Sequence, residues 1–220
     1  MLDKIIKINN ESEKELTFEI GSNSDLILEN TITGNLEWTI KQFIERTEKG
    51  NLTFPTKFNM VDSILNLRHE GRIIVRMSVN PEQIIREIEI GTSPLKNRVE
   101  AINKLKEAGY KVGILIAPII LVENWKEEYE KLIQYLAENL SEKVKKEAFF
   151  ELIFMTYSYV HNAINTEAFP NRPNLYDKEQ MTGRGKGKYM YKHEVREEAE
   201  KEIRAVMKQY FPNNEIKYIV

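Results

Sequence analysis

The chain has 220 residues, of which 41% are hydrophobic and 30% charged, with a formal net charge of −2. That length and balance describe an ordinary globular chain large enough for one domain with a real core, and exclude a globally basic nucleic-acid protein while leaving room for a local basic patch. There are no cysteines, which removes disulfides, thiolate zinc sites, cysteine nucleophiles and thiolate-held clusters from these residues. No stretch approaches 18 apolar residues and no secretory leader is visible, so a cytoplasmic location is the expectation.

Short apolar runs alternate with longer segments of helical period, the pattern of a parallel α/β sheet or barrel. The first strand is expected at Leu16–Ile20, followed by the loop Gly21-Ser22-Asn23-Ser24-Asp25. A helix from about Leu36 then places Leu36, Ile40, Phe43 and Ile44 on one face. Further strands are expected at Leu52–Phe58 and Arg72–Ser78. A short helix after Pro81 carries Ile84, Ile85 and Ile88, and Gly91-Thr92-Ser93 breaks it. The next helix starts at Pro94, faces inward with Leu95, Val99, Ile102 and Leu105, and stops at Ala108-Gly109.

Lys111–Ile120 reads as a buried strand, Trp125–Leu136 as a helix, and Phe149–Met155 as a fifth strand. His161–Glu167 is a short helical turn, Ala168–Lys192 is rich in loop residues, and the last helix carries Val195, Ala199, Ile203 and Val206 before a terminal strand at Glu215–Val220. Trp38 and Trp125 are expected at the core or its edge, and the charged run Glu142–Glu147 on a solvated face or loop. No linker or repeat divides the chain, so residues 1–220 form a single domain. About five strand–helix units fall short of a closed eightfold barrel, which takes roughly 250 residues. The pattern fits most of a barrel or a smaller open sheet.

Ligands of parallel α/β proteins collect at the carboxyl ends of the strands. Those ends carry Ser22, Ser24, Lys57, Ser78 and Ala117. A lysine among small hydroxyls suits a ligand with a carboxylate and hydroxyl groups, although Ser and Asn at such positions also serve as helix caps. Near the C-terminus, Thr182–Lys192 interleaves Arg184, Lys186, Lys188 and Lys192 with glycines and with Tyr189 and Tyr191. Glycines admit close backbone approach to a phosphate and cations neutralise it, while aromatic rings stack on bases; a solvated hairpin is the plainer alternative. His69, His161 and His193 show no metal-ligand spacing.

An ordered set of motifs resembles the spore photoproduct lyase family. They are Leu52-Thr-Phe-Pro-Thr-Lys-Phe58, Arg76-Met-Ser-Val-Asn80, Gly91-Thr-Ser-Pro94, Ala108-Gly-Tyr-Lys111 and Ile116-Ala-Pro118, then Phe150-Glu-Leu-Ile153, Gly187-Lys-Tyr189, Tyr210-Phe-Pro212 and Glu215-Ile-Lys-Tyr218. The resemblance runs from about Leu16 to the end. It implies a radical S-adenosylmethionine partial barrel, mostly parallel, with its N-terminal units outside this chain. It also implies a [4Fe–4S] cluster on an upstream three-cysteine loop, and a 5′-deoxyadenosyl radical that attacks a thymine-dimer lesion in DNA.

Carried over by position, Ser24, Lys57 and Ser78 would contact S-adenosylmethionine and Ala117 would line its pocket. Arg184, Lys186, Lys188 and Tyr189 would belong to a DNA-facing hairpin. The family's hydrogen-donating cysteine falls on Ser22, within Glu19-Ile-Gly-Ser-Asn-Ser-Asp25, and a serine O–H is a far poorer hydrogen donor than a thiol. The hairpin differs too, since Arg184 runs straight into Gly185 where the family tends to have an aromatic residue. The cluster ligands are absent from these residues. The expectation is therefore a lyase-type repair protein that is inactive alone and depends on an upstream cluster-bearing segment or a second chain. The alternatives are a non-catalytic DNA- or partner-binding module that keeps the fold, and a barrel for another phosphorylated small molecule.

Overall fold

The computed structural model describes residues 1–220. The first half runs α1 (Leu2–Glu11), β1 (Thr17–Glu19), α2 (Leu26–Thr33), α3 (Asn35–Arg46), β2 (Asn51–Thr56), β3 (Ile73–Val79), α4 (Glu82–Glu87) and α5 (Leu95–Glu107). The second half runs β4 (Lys111–Ile119), α6 (Trp125–Asn139), α7 (Glu142–Glu147), β5 (Phe149–Phe154), β6 (Thr156–Ser158), α8 (Tyr159–Ala168), β7 (Met181–Gly185), β8 (Lys188–Tyr191), α9 (His193–Tyr210) and β9 (Ile216–Ile219).

Six strands form one sheet in the order β1-β2-β3-β4-β5-β9, and every neighbouring pair is parallel. Parallel strands are covered on both faces, which is why β3 reads Ile-Ile-Val-Arg-Met-Ser-Val and is buried along its whole length. Alternation along β3 then sorts its residues: Val75, Met77 and Val79 point to one side, Arg76 and Ser78 to the other, where the cleft lies. The second sheet, β6-β8-β7, is small and antiparallel and follows directly from the carboxyl end of β5.

Helical period decides which faces are buried. On α3, Leu36, Ile40, Phe43 and Ile44 are the buried residues, with Ile40 and Phe43 wholly inside. Each such side chain stabilises the fold by about 1.5–3 kcal/mol. Trp38 corrects the expectation: it is 56% exposed, because it falls roughly 200° around the helix from Leu36. Trp125 is half-buried at the core edge. The charged run Glu142–Glu147 is helical as α7, capped by Ser141 and pinned by buried Val144.

Two helices escaped the sequence reading. α1 buries Leu2, Ile6 and a polar residue, Asn9, whose Nδ2 donates to the Lys49 carbonyl at 2.9 Å. α2 is only eight residues long and buries Ile27 and Asn30 while Ile32 stays 88% exposed, so its apolar pattern points to no single face. Its start is set by Asp25, which accepts from the backbone N–H groups of Ile27 and Leu28 at 3.1 and 3.2 Å. The loop-rich stretch 168–192 contains the β7–β8 hairpin. No helix is long and apolar enough to cross a membrane.

The seat of α1 on the turn before β2 depends on Gly50, which has φ +83° and where a Cβ would collide with Asn9 Oδ1. Gly50→Ala should therefore destabilise the protein by about 1–3 kcal/mol in urea denaturation, through backbone strain plus collision. Gly71→Ala, at φ +66° with open space around it, should cost only the backbone share, about 1 kcal/mol. Equal losses at the two sites would contradict the packing.

Candidate functional site

The carboxyl ends of the strands surround one cleft of about 600 Å³. The loop after β1 contributes Gly21, Ser22, Ser24 and Asp25, and the end of β2 contributes Pro55 to Phe58. β3 adds Arg76 and Ser78, β4 adds Leu115, Ala117 and Pro118, β5 adds Ile153 and β9 adds Tyr218. Every predicted cleft residue, Ser22, Ser24, Lys57, Ser78 and Ala117, is thus brought to one place. The fifth strand contributes Ile153, and Met155 turns away into the core.

One wall is a network of buried charges. Lys57 Nζ donates to Ser78 Oγ at 2.8 Å, to Glu89 Oε1 at 2.5 Å and to the Ala117 carbonyl at 2.8 Å. Asn80 Nδ2 donates to the same Glu89 oxygen at 2.8 Å. Arg98, with no exposed surface, donates to the carbonyls of Ser93 and Ser78 and to Thr92 Oγ1. Its Nη2 lies 2.8 Å from Glu89 Oε2, a charge contact whose angle leaves that oxygen without a hydrogen-bond donor.

Burial pushes Lys57 below its ordinary value, opposed by the Glu89 carboxylate. Burial alone would push Glu89 up, but the adjacent Lys57 and Arg98 charges and the hydrogen bonds from Lys57 and Asn80 together hold it below the usual carboxylate range. The sequence sets Lys57 toward a ligand carboxylate. In the structure all three of its ammonium hydrogens have protein acceptors, so a ligand carboxylate reaches it only by replacing or sharing one of them.

The opposite wall carries charges that the sequence reading missed. Arg76 donates to Glu19 Oε2 at 2.6 Å and to Glu151 Oε2 at 3.2 Å, and its Nε is buried without a partner. The Tyr218 hydroxyl donates to Glu151 Oε2 at 2.8 Å. Burial first, and this bond second, raise the Tyr218 phenol to about 12. Two carboxylates share one guanidinium here, and Glu19 is 48% exposed toward the cleft. The signal was present: Arg76 and Glu151 are charged residues inside otherwise apolar strands, and such charges are buried only when paired.

The basic segment forms the β7–β8 hairpin. Its tip, Lys186-Gly187, has φ +51° and +69°, the positive values that a tight two-residue turn demands. Arg184, Lys186 and Lys188 are exposed and make no ion pair. Tyr189 is half-buried in a cluster with Tyr157, Tyr159 and Tyr176, its ring centre 4.9 Å from that of Tyr176. Its ring therefore already has partners within the protein. His69 stacks on Tyr110 at 3.9 Å and bonds the Ala108 carbonyl, a packing role.

Six parallel strands curled around a cleft at their carboxyl ends define a partial (β/α) barrel. A spore photoproduct lyase family profile matches residues 1–220, and the chain belongs to that family. Spore photoproduct lyase of Bacillus subtilis is 33% identical over 223 residues, covering 99% of this chain and 65% of that protein. The protein of that name from a Geobacillus species is 32% identical over 217 residues, covering 96% and 63%. This chain thus spans about 65% of the length of the first of these relatives. A solved variant spore photoproduct lyase with bound AdoMet and dinucleoside spore photoproduct superposes with a TM-score of 0.90 at 32% identity, over 100% of this chain and 67% of that one. A spore photoproduct lyase complexed with dinucleoside spore photoproduct gives the same score and coverage.

The donor set fits S-adenosylmethionine. One wall offers Lys57 and hydroxyls toward a carboxylate, the other offers Glu19 toward a cationic centre, and Leu115, Ala117, Pro118 and Ile153 leave an apolar floor. The iron–sulfur cluster does not fit: there is no Cys, and no group of three His, Asp or Glu that could hold a metal.

Glu89→Gln would leave Lys57 and Arg98 buried against a neutral amide, costing about 3 kcal/mol at neutral pH. Because Glu89 titrates below its ordinary 4.5 in the folded state, its contribution is present above that value. It is lost as pH falls through the folded value. The difference between parent and variant in urea should therefore shrink in acid, and a difference constant with pH would contradict the network.

Proposed function

We propose that this chain is an S-adenosylmethionine-binding protein that works as one folded unit in the repair of thymine-dimer photoproducts in DNA. The observation that carries this reading is the convergence of Ser22, Ser24, Lys57, Ser78 and Ala117 on one polarised cleft. It is supported by the family and by the match to a relative whose structure holds AdoMet and dinucleoside spore photoproduct.

In this reading Lys57 and Ser78 take the carboxylate end of S-adenosylmethionine, Ser24 caps the same end from the loop after β1, and Ala117 leaves room for its body. The charge of Glu89 keeps Lys57 protonated against the cost of burial, so that the cation is present when the ligand arrives. Bound S-adenosylmethionine supplies hydrogen-abstracting chemistry only after reductive cleavage. These 220 residues contain no thiolate for the cluster that would deliver the electron. Ser22 faces the cleft where the family places its thiol, and it can position a lesion or a water but is a poor hydrogen donor to a carbon radical. A cluster-bearing partner segment or chain is required for turnover.

The chain purified alone and treated with iron and sulfide should stay colourless and form no 5′-deoxyadenosine, while retaining S-adenosylmethionine in equilibrium dialysis. A brown protein with cleavage activity would overturn the first part, and no retention the second. In the same reading the hairpin is the phosphate-contacting element, supported by the exposed, unpaired Arg184 and Lys188. Arg184→Ala/Lys188→Ala should weaken binding to damaged and undamaged duplexes alike and flatten the log–log salt slope by about 2 units. An unchanged slope would remove the hairpin from the interface.

A further inference from the structure

The helix beside the hairpin, α8, buries none of its residues. On its outward side Val160 is 63% exposed and Ile164 60%, and Phe169 follows just past the C-terminus at 45%. Val160 and Ile164 are one turn apart and present a continuous apolar ridge. The opposite side is committed to the protein, where Asn162 and Thr166 accept from Arg172, whose guanidinium also reaches the Pro173 carbonyl.

This helix is built onto the hairpin. The Tyr159 N–H donates to the Gly187 carbonyl at 3.1 Å, and a Cβ at Gly187 would lie 3.8 Å from the Tyr159 ring. Tyr159 also packs on Tyr189, ring centres 5.3 Å apart. The exposed apolar ridge and the unpaired cations Arg184, Lys186 and Lys188 therefore occupy one surface beside the carboxyl ends of the strands. Glu167, the one anionic side chain of the helix, follows Ile164 by three residues on the same face and closes the ridge, which confines contact with a polyanion to the first two turns.

We infer that α8 is a second DNA-contacting element, which lays Val160 and Ile164 against base edges or between base steps while the hairpin holds the phosphates. This rests on the DNA-binding reading of the hairpin. The surface pairs cations with exposed apolar side chains, and duplex DNA offers the complement of both: a phosphate backbone, and bases whose stacking apolar wedges open. An anionic membrane also offers charge and apolar depth, but no helix here has the long basic amphipathic face that lies in a bilayer interface, since α8 carries no lysine or arginine.

The test compares the parent chain, Val160→Ser/Ile164→Ser and the hairpin double variant on a fluorescent duplex carrying 2-aminopurine. Both substituted side chains are exposed, so thermal melting should be unchanged. The helix variant should bind about fivefold more weakly with the same salt slope, because apolar contacts release no counterions. The parent should raise the 2-aminopurine fluorescence on binding, and the helix variant should not. Unchanged affinity and fluorescence, with the hairpin variant still impaired, would overturn the role of α8 alone. A parent that binds no duplex would overturn the hairpin reading as well. Binding of the parent to phosphatidylserine vesicles in place of duplex would assign the surface to a membrane and overturn the inference.

Discussion

The buried carboxylate of Glu89 holds the cleft together. It sits between Lys57, at the end of β2, and Arg98, inside α5, and it is steadied by Asn80 just past β3. Without it the Lys57 and Arg98 cations would stand side by side with no carboxylate between them, at a cost of about 3 kcal/mol. With it, the ends of β2, β3 and β4 are tied at one point, because Lys57 also bonds Ser78 and the Ala117 carbonyl. Asp25 extends the same tie to the loop after β1, accepting from Thr56 Oγ1 and the Lys57 N–H at 2.8 Å each while it starts α2.

The cleft is polarised by this arrangement and its counterpart. Arg76, Glu19, Glu151 and Tyr218 link β1, β3, β5 and β9 across the interior of the curled sheet. Here the excess charge is negative, whereas on the other wall Lys57 and Arg98 are balanced by Glu89 and Asp25 and the Lys57 ammonium is the cation at the cleft. A ligand carrying a carboxylate at one end and a positive centre further along meets complementary charge at both places. Burial makes each of these interactions worth more than it would be in water, and ties function to a site whose geometry folding has already fixed.

Much of this was legible in the sequence because parallel strands announce themselves. The runs around Ile73–Val79 and Lys111–Ile119 are too apolar and too short for surface helices, and their carboxyl ends led directly to Ser78 and Ala117. The helix carrying Leu36, Ile40, Phe43 and Ile44 was equally plain, since a 3.6-residue period survives any context. What escaped depends on tertiary partners. α1 and α2 fold against α3 and β2 with buried amides, Asn9 and Asn30, in places where periodicity expects apolar side chains. Asn30 accepts from the Leu36 and Glu37 N–H groups, a capping role invisible without the fold. Trp38 went wrong because a place on an amphipathic helix was read as a place on its buried face, from which it lies roughly 200° away. The Arg76–Glu19–Glu151–Tyr218 set joins residues up to 199 positions apart in sequence, and only the sheet order brings them together.

In the proposed function S-adenosylmethionine occupies the space between these two charged walls. The most direct measurement is a crystal structure of the chain soaked with S-adenosylmethionine. The ligand is expected between Ser24 and Ser78, its carboxylate in exchange with one of the acceptors of Lys57 and its positive centre toward Glu19. Density for the ligand elsewhere on the protein, or an empty cleft at saturating concentration, would contradict it.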